Sequence, residues 1–158
     1  MKLVEREAVR AILLNNDNQV LLIKVRSPEG DVFWVAPGGG VETGETAERA
    51  LKRELDEELG TRTWDVGPLV WLRHHTFSWK DRRLSQYERY YIVSTDRFEA
   101  AMLDDGEAAH VTELRWWNIK DLASAAERIT PLSLSEIVHQ FLANGAPYPL
   151  PPVEVLID

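Results

Sequence analysis

Cysteine is absent from the 158-residue chain, so disulfides, thiolate nucleophiles and zinc–thiolate sites are excluded. Cations are also scarce: 18 lysines and arginines stand against 26 acidic residues, a formal net charge of −8. A protein that binds nucleic acid broadly needs a basic surface to neutralise phosphates, and this balance argues against such a partner. It does not argue against a small phosphorylated ligand, because a bound divalent cation supplies positive charge locally.

Long apolar runs are missing as well. The first seven residues carry four charges where a signal peptide needs an apolar stretch, and no run approaches a membrane span of roughly 20 residues. We therefore expect a cytoplasmic protein with no membrane partner. Hydrophobic residues make up 44% and charged residues 28% of the chain, which predicts one globular domain over residues 1–158.

Hydrophobic periodicity predicts strands, a helix, more strands and then helices. Strands are predicted over Ala8–Leu14, Val20–Val25, Val32–Val35, Val66–Thr76, Gln86–Ser94 and Glu113–Asn118, with the first two forming a hairpin around Asn15–Asn18. Helices are predicted over Thr46–Leu59, Ile119–Ala126 and Leu134–Ala143. Pro37–Gly40 is expected to form no regular element, and Ala146–Pro152, in a proline-rich tail over 146–158, is expected to be extended. This order favours an α/β fold, a mixed sheet covered by helices.

The helix predicted over Thr46–Leu59 carries carboxylates close to its apolar face. At roughly 100° per residue, one stripe is formed by Ala47, Leu51, Leu55 and Leu59. Glu58 projects into this stripe, Glu54 lies at its edge and Glu57 lies further round, within an arc of roughly 100°. Ionised carboxylates on a core-facing surface are costly unless they are paired, and clustered carboxylates raise one another's pKa. A hard cation such as Mg²⁺ or Mn²⁺ removes both costs, because it prefers oxygen ligands.

The same helix has an ordinary structural interpretation. Acidic residues with Lys52 and Arg53 as partners are typical of a solvated helix face. The position of Glu58 and the glycines at 38–40 favour the metal interpretation, because glycines let the backbone approach a ligand closely.

The segment from Gly39 to Thr61 resembles the signature of the Nudix hydrolase family, G-x5-E-x7-R-E-U-x-E-E-x-G-U, in which U is a bulky aliphatic residue. Eight of its nine fixed positions match over 23 residues: Gly39, Glu45, Arg53, Glu54, Leu55, Glu57, Glu58 and Gly60. Thr61 departs from the last U, a position that serves packing rather than metal binding. Trp34–Gly38 also resembles what precedes the signature in the family. The resemblance implies a Nudix-type α/β/α sandwich with a mixed β-sheet between helices.

The resemblance also implies the chemistry, which is attack of water on a phosphorus of a diphosphate bond. The implied metal ligands are Glu54, Glu57 and Glu58, with Glu45 as a further candidate. Arg53 would pair with Glu45 and orient the loop and helix, and Gly38 and Gly39 would lend backbone to the substrate site. The implied cofactor is Mg²⁺, with Mn²⁺ as a substitute.

Outside the signature, the resemblance implies a general base or extra ligand from another segment, whose position varies in the family. Glu107, Glu88 and Glu113 are the candidates. We favour Glu107, because it is predicted to lie in a loop that can bend towards the metal, and for Glu113 we favour an ordinary surface charge.

Substrate contacts outside the signature are predicted from residue type. The candidates for a stacking wall are the aromatic residues Trp34, Phe77, Trp79 and Trp117, and the candidates for phosphate contacts are Arg26, Arg82 and Arg83. Glu88 is a further candidate, and Gly38 and Gly39 complete the binding set because the resemblance implies them. Buried tryptophans are more often core than ligand walls.

The predicted function is therefore Mg²⁺-dependent hydrolysis of a nucleoside diphosphate derivative or a nucleoside triphosphate. The alternative is a Nudix-like nucleotide-binding or regulatory module that has lost activity. An enzyme acting on capped RNA ends remains open, although the acidic balance argues against it. The sequence leaves open which substrate is cleaved and whether the chain forms a homodimer.

Overall fold

The computed structural model describes residues 2–100 and 110–158. The assigned strands are β1 (Leu3–Leu14), β2 (Gln19–Arg26), β3 (Val32–Val35), β4 (Gly38–Gly40), β5 (Asp65–Trp79), β6 (Arg82–Ser94), β7 (Val111–Asn118), β8 (Arg128–Thr130) and β9 (Glu154–Ile157). The helices are α1 (Ala47–Leu59), a 3₁₀ helix (Ile119–Ser124) and α2 (Leu134–Asn144). Within these ranges no helix is long and apolar enough to cross a membrane.

The strands form one mixed sheet. β1 and β6 pair in parallel from Leu3↔Arg83 to Leu14↔Ser94, and β5 pairs with β9 in parallel, whereas β5 and β6 form a long antiparallel hairpin. β2 pairs with β1 only at Leu14↔Val20 and then continues alongside β3 and β7. The sheet is curled. The curl is shown by a hydrogen bond from Arg73 on β5 to Thr130 on β8, two strands that lie far apart in the strand order.

Each face of the sheet carries its own apolar core. α1 packs against one face through a cluster that includes Val9, Ala11 and Leu13. Ile12 and Leu14, whose side chains point the other way from the same strand, pack with α2 on the opposite face. The predicted α/β/α sandwich is therefore confirmed.

The signature helix begins and ends as its sequence predicts. The hydroxyl oxygen of Thr46 accepts a hydrogen bond from the N–H of Arg49 at 3.2 Å, which is the contact of an N-cap residue. Gly60 follows the last turn with φ of 100°, a conformation that side chains rarely adopt. α2 covers Leu134–Asn144, close to its predicted range.

Two predictions of secondary structure were wrong, and two strands were not predicted. Gly38–Gly40, predicted to be irregular, forms a strand that pairs with β1. Ile119–Ser124 is a 3₁₀ helix without a side-chain cap, and its two buried residues, Ile119 and Leu122, are spaced three apart, as a 3₁₀ turn requires. β8 was not predicted, since three residues give too short a pattern. The tail ends in β9, also not predicted, which pairs with β5 from Arg73↔Glu154 to Thr76↔Ile157.

Candidate active site

The glycine segment at 38–40 lies between β1 and α1. Gly38, Gly39 and Gly40 pair with Arg10, Val9 and Ala8 of β1. At Gly38 the backbone has φ of 146°, and a Cβ would lie 2.0 Å from the carbonyl oxygen of Val9. The Gly38 N–H donates a hydrogen bond of 2.9 Å to Oε1 of Glu58. Only glycine fits this position, and its backbone holds one carboxylate of the signature helix.

Gly39 makes room for a second carboxylate. A Cβ at Gly39 would lie 2.4 to 2.6 Å from the carboxylate atoms of Glu54. Glu54 is 7% exposed and Glu58 4% exposed, so the apolar stripe of α1 does bury acidic groups, as its periodicity predicts. Two ionisable groups thus lie directly beneath a segment of backbone that has no side chains.

Arg53 organises the remaining signature residues. Its Nε and Nη2 donate to the two carboxylate oxygens of Glu45 at 2.7 and 2.9 Å, a bidentate pair. Nη1 donates to Glu54 at 3.0 Å and lies 3.5 Å from Glu57, and Nη2 also donates to the Gly40 carbonyl at 2.9 Å. The hydrogen bonds from Arg53 lower the pKa of Glu45 to about 2. One guanidinium therefore ties the loop before α1 to two carboxylates of the helix.

The ligand chemistry suits a hard divalent cation. Glu54, Glu57 and Glu58 supply carboxylate oxygens, and Arg53 is a positive group beside two of them, Glu54 and Glu57. In the described ranges, no three histidine, cysteine, aspartate or glutamate side chains converge as a ready metal cage. Glu45, Glu54 and Glu57 meet at Arg53, whereas Glu58 turns to the N–H of Gly38. The donor set fits Mg²⁺ or Mn²⁺ in type, and the residues that could hold it are Glu54, Glu57 and Glu58.

Trp34 was predicted to stack against the substrate, but the structure places it in the core. Its ring is fully buried in the apolar core, stacked edge-on against Trp117 with ring centroids 5.1 Å apart. Its Nε1 donates to Glu127 at 3.0 Å. Trp34 lies on β3, which pairs with β2 and β8, and its side chain belongs to the core cluster on the α2 face of the sheet. Arg26 lies exposed at the end of β2, opposite Val32.

The three glutamates considered outside the signature have different surroundings. Glu107 lies outside the described residues. Glu113 is on the surface and pairs with Arg115 at 2.8 Å, which agrees with an ordinary surface charge. Glu88 was predicted to contact substrate, but it is 2% exposed and its carboxylate is occupied by protein donors. A direct contact between Glu88 and substrate is therefore not what the structure favours.

Glu88 instead anchors a buried polar cluster that sequence reasoning missed. Its carboxylate accepts hydrogen bonds from Arg73 Nε at 2.5 Å, from Gln86 at 2.8 Å and from Tyr90 at 3.0 Å. Arg10 Nε lies 3.5 Å away. Burial alone would raise the pKa of Glu88, but the charges of Arg10 and Arg73 outweigh it, so the pKa is lowered. The available signal was Arg10 itself, a charge at an inward position of an apolar strand.

A separate cleft lies away from the signature. It has a volume of about 660 Å³ and runs between α2 and the proline-rich tail, with Trp71, Phe141 and Tyr148 in its walls. None of its lining residues belongs to the signature. It has no bearing on the chemistry of Glu54 and Glu58.

Comparisons with known proteins agree with this geometry. An RNA pyrophosphohydrolase of Tolumonas auensis is 27% identical over 164 residues, covering 94% of this chain and 90% of that protein. Nucleoside triphosphatase NudI of an Enterobacter species is 49% identical over 53 residues, which are 32% of this chain and 37% of that protein.

Among solved structures, the MutT NUDIX hydrolase of Burkholderia pseudomallei matches with a TM-score of 0.61 at 25% identity, covering 87% of this chain and 98% of that one. The dihydroneopterin triphosphate pyrophosphohydrolase of E. coli matches with a TM-score of 0.65, covering 89% of this chain and 99% of that one, and at 17% identity it supports the fold alone. The NUDIX domain profile matches residues 4–140. The signature predicted a Nudix fold and a pyrophosphohydrolase of the Nudix family, and both predictions are confirmed. The chain belongs to the NUDIX domain family.

Proposed function

We propose that this chain is a Mg²⁺-dependent hydrolase that cleaves the diphosphate linkage of a nucleoside diphosphate derivative or a nucleoside triphosphate by attack of water at phosphorus. The observation that carries the proposal is that contacts to the backbone of the glycine segment fix the charged side chains of the signature in place. Arg53 joins Glu45, Glu54 and the Gly40 carbonyl, and the Gly38 N–H holds Glu58. Carboxylates are thereby collected beside a side-chain-free stretch of backbone that a diphosphate can approach closely.

Glu54, Glu57 and Glu58 are the residues that would hold the metal. When bound there, a divalent cation would screen the phosphate charge and lower the pKa of the attacking water. Glu45 keeps Arg53 in place, and Arg53 keeps Glu54 and the glycine segment in place. Gly38 and Gly39 bring backbone to the substrate. Glu107 remains our proposal for the general base, on the strength of the family resemblance alone.

The substrate and its surroundings are proposed at a coarser level. The relatives act, by their names, on RNA and on nucleoside triphosphates. We propose a nucleotide-like diphosphate as substrate for this chain, Mg²⁺ rather than another divalent ion as the resident metal, and a cytoplasmic location. We also propose that residues 1–158 form a single domain, since the sheet uses strands from Leu3 to Ile157.

A panel of substrates tests the proposal. Release of phosphate, pyrophosphate or mononucleotide is measured with nucleoside triphosphates, nucleotide sugars, dinucleoside polyphosphates, coenzyme-like diphosphates and 5′-capped and 5′-triphosphorylated RNA. We expect turnover of at least one small nucleotide with Mg²⁺ or Mn²⁺ and none after chelation by EDTA. Turnover that persists in EDTA contradicts the metal assignment. No turnover with any member of the panel favours the alternative, a nucleotide-binding module without activity.

A further inference from the structure

Arg10 lines the side of the glycine segment that faces away from α1. Val9 and Ala11 belong to the core beneath α1, and strand side chains alternate, so Arg10 shares the opposite face with Ile12. It pairs directly with Gly38 in the sheet. The N–H of Gly38 holds Glu58, so the strand partner of Arg10 also contacts a carboxylate of the signature helix.

Two of the three guanidinium nitrogens of Arg10 are fixed by the protein. Nη1 donates to the carbonyl oxygen of Ala36 at 3.1 Å, and Nε lies 3.5 Å from Oε2 of Glu88. Nη2 makes no hydrogen bond with any residue in the ranges 2–100 and 110–158, and 20% of the side-chain surface stays exposed. The guanidinium is therefore oriented at two points and keeps donors for a further partner.

The cluster that orients Arg10 buries charged groups, and their burial costs hydration free energy. Glu88 and Arg73 have side chains that are 1% and 3% exposed, and Arg73 also contacts Thr130 on β8. Apolar residues of similar volume stabilise a core at least as well as a buried ion pair, because charges lose hydration on burial. A cluster that fixes one partly exposed arginine beside the signature has a use that apolar packing cannot provide.

We propose that Arg10 recognises an anionic oxygen on the group attached to the scissile diphosphate, and that Glu88 is the positioning residue that orients it. The inference rests on the proposed function of the signature. A planar guanidinium with free N–H groups binds phosphate or carboxylate oxygens in a fixed geometry. This chain has a net charge of −8, so an arginine fixed beside the site is what makes a second anionic group on the substrate favourable there.

Matched substrate pairs test the inference. Coenzyme A and its 3′-dephospho form differ by one phosphate, and UDP-glucuronate and UDP-glucose differ by one carboxylate. In wild type we expect a lower KM for the anionic member of at least one pair, and the pair that responds identifies the anion. Arg10→Gln should raise that KM about tenfold or more, the effect of losing a charge-assisted hydrogen bond, with kcat changed less than about threefold. Arg10→Lys should recover part of the loss.

Controls separate recognition from folding. Glu88→Gln should raise the same KM while the neutral substrate is unaffected, because Arg10 loses its orientation. Arg49→Gln removes an exposed arginine from α1 and should leave KM unchanged for both the anionic and the neutral substrate. If Arg10→Gln unfolds, Arg10→Gln combined with Glu88→Gln removes both charges together, and thermal unfolding checks that it folds. The inference would be overturned if Arg10→Gln changed KM equally for both members of every pair. It would also be overturned if the wild type had the same KM for both members of each pair.

A binding measurement distinguishes this inference from the proposed function. Calorimetry without metal measures the affinity of inorganic phosphate, which stands in for the second anionic group and not for the scissile diphosphate, for wild type, Arg10→Gln and Glu57→Gln. We expect binding to weaken about tenfold in Arg10→Gln and not to weaken in Glu57→Gln. This result in a protein that hydrolyses nothing would sink the proposed function and leave the anion site standing. Equal affinity in wild type and Arg10→Gln, or no binding to wild type, would overturn the anion site whatever the activity.

Discussion

The backbone N–H of Gly38 donates a hydrogen bond of 2.9 Å to Oε1 of Glu58, a residue twenty positions further along the chain. The bond fixes a carboxylate of α1 against a strand that has no side chains. It explains why the signature needs glycine and glutamate together, since each residue restricts where the other lies. The predictions below follow from this contact and from those of Arg53.

Gly39→Ala should reduce turnover more than it reduces stability. The backbone at Gly39 lies outside the left-handed region, so alanine is tolerated there, but the new Cβ would lie within 2.6 Å of the Glu54 carboxylate. Glu54 must then move, and displacing a reacting group by about 1 Å typically costs on the order of 100-fold in rate. Steady-state kinetics and chemical unfolding measure the two effects.

The control for Gly39→Ala is Gly30→Ala. Gly30 has φ of 95° and open space around its Cβ position, so alanine is strained there by about 1 kcal/mol without touching the site. It should lower the free energy of unfolding and leave kcat unchanged. A Gly39→Ala variant with wild-type kcat would show that Glu54 has no fixed role.

Glu45→Gln should reduce the loss of stability in acid. Hydrogen bonds from Arg53 lower the pKa of Glu45 to about 2 in the folded protein, against 4.5 ordinarily. A lowered folded-state pKa gives stability that is fully present above pH 4.5 and is lost as pH falls towards 2. Removing the carboxylate should therefore flatten the dependence of unfolding free energy on pH across this window. Urea unfolding between pH 2.5 and 6 measures the slope.

The matched variant for that measurement is Glu48→Gln, which removes a carboxylate from the first turn of the same helix. Glu48 pairs with Lys52 at 3.3 Å and does not contact Arg53. Its slope should stay at the wild-type value. Identical slopes for wild type and Glu45→Gln would mean that the pair with Arg53 does not persist in solution.

Trp34→Phe should lower stability and leave substrate affinity unchanged. The ring is fully buried, contacts Trp117 edge-on and donates to Glu127, so a smaller ring leaves a cavity and loses one hydrogen bond, while Glu127 keeps its ion pair with Lys24 at 3.2 Å. We expect a loss of about 2 kcal/mol in unfolding free energy. KM should stay within about twofold of wild type. A large rise in KM without loss of stability would restore Trp34 as a substrate wall.

The signature and its helix could be predicted from the sequence because their information is local. The N-cap Thr46 and the stop at Gly60 follow from the residue types that end helices, and the position of Glu58 on the apolar stripe follows from 3.6-residue periodicity. The pairing of Arg53 with Glu45 was inferred from the resemblance, and the structure contains it as a bidentate pair.

The rest depends on contacts that a single pattern does not encode. Arg10 and Glu88 lie in apolar strands, and their partnership arises only when β1 and β6 pair in parallel with Ala8 beside Glu88. Arg73 joins them from β5, and Thr130 joins from the far side of the curled sheet. Trp34 was assigned to the substrate because residue type cannot tell an inward ring from an outward one. β4 escaped prediction because three glycines have no side chains to alternate.

The most direct test of the central claim is the rate of hydrolysis in Glu57→Gln and Glu58→Gln, measured with saturating Mg²⁺ on the best substrate of the panel. The account predicts that each variant keeps its fold, judged by circular dichroism and thermal unfolding, and loses turnover by orders of magnitude, because an amide replaces an anionic ligand of the cation. Wild-type turnover in both folded variants would contradict it.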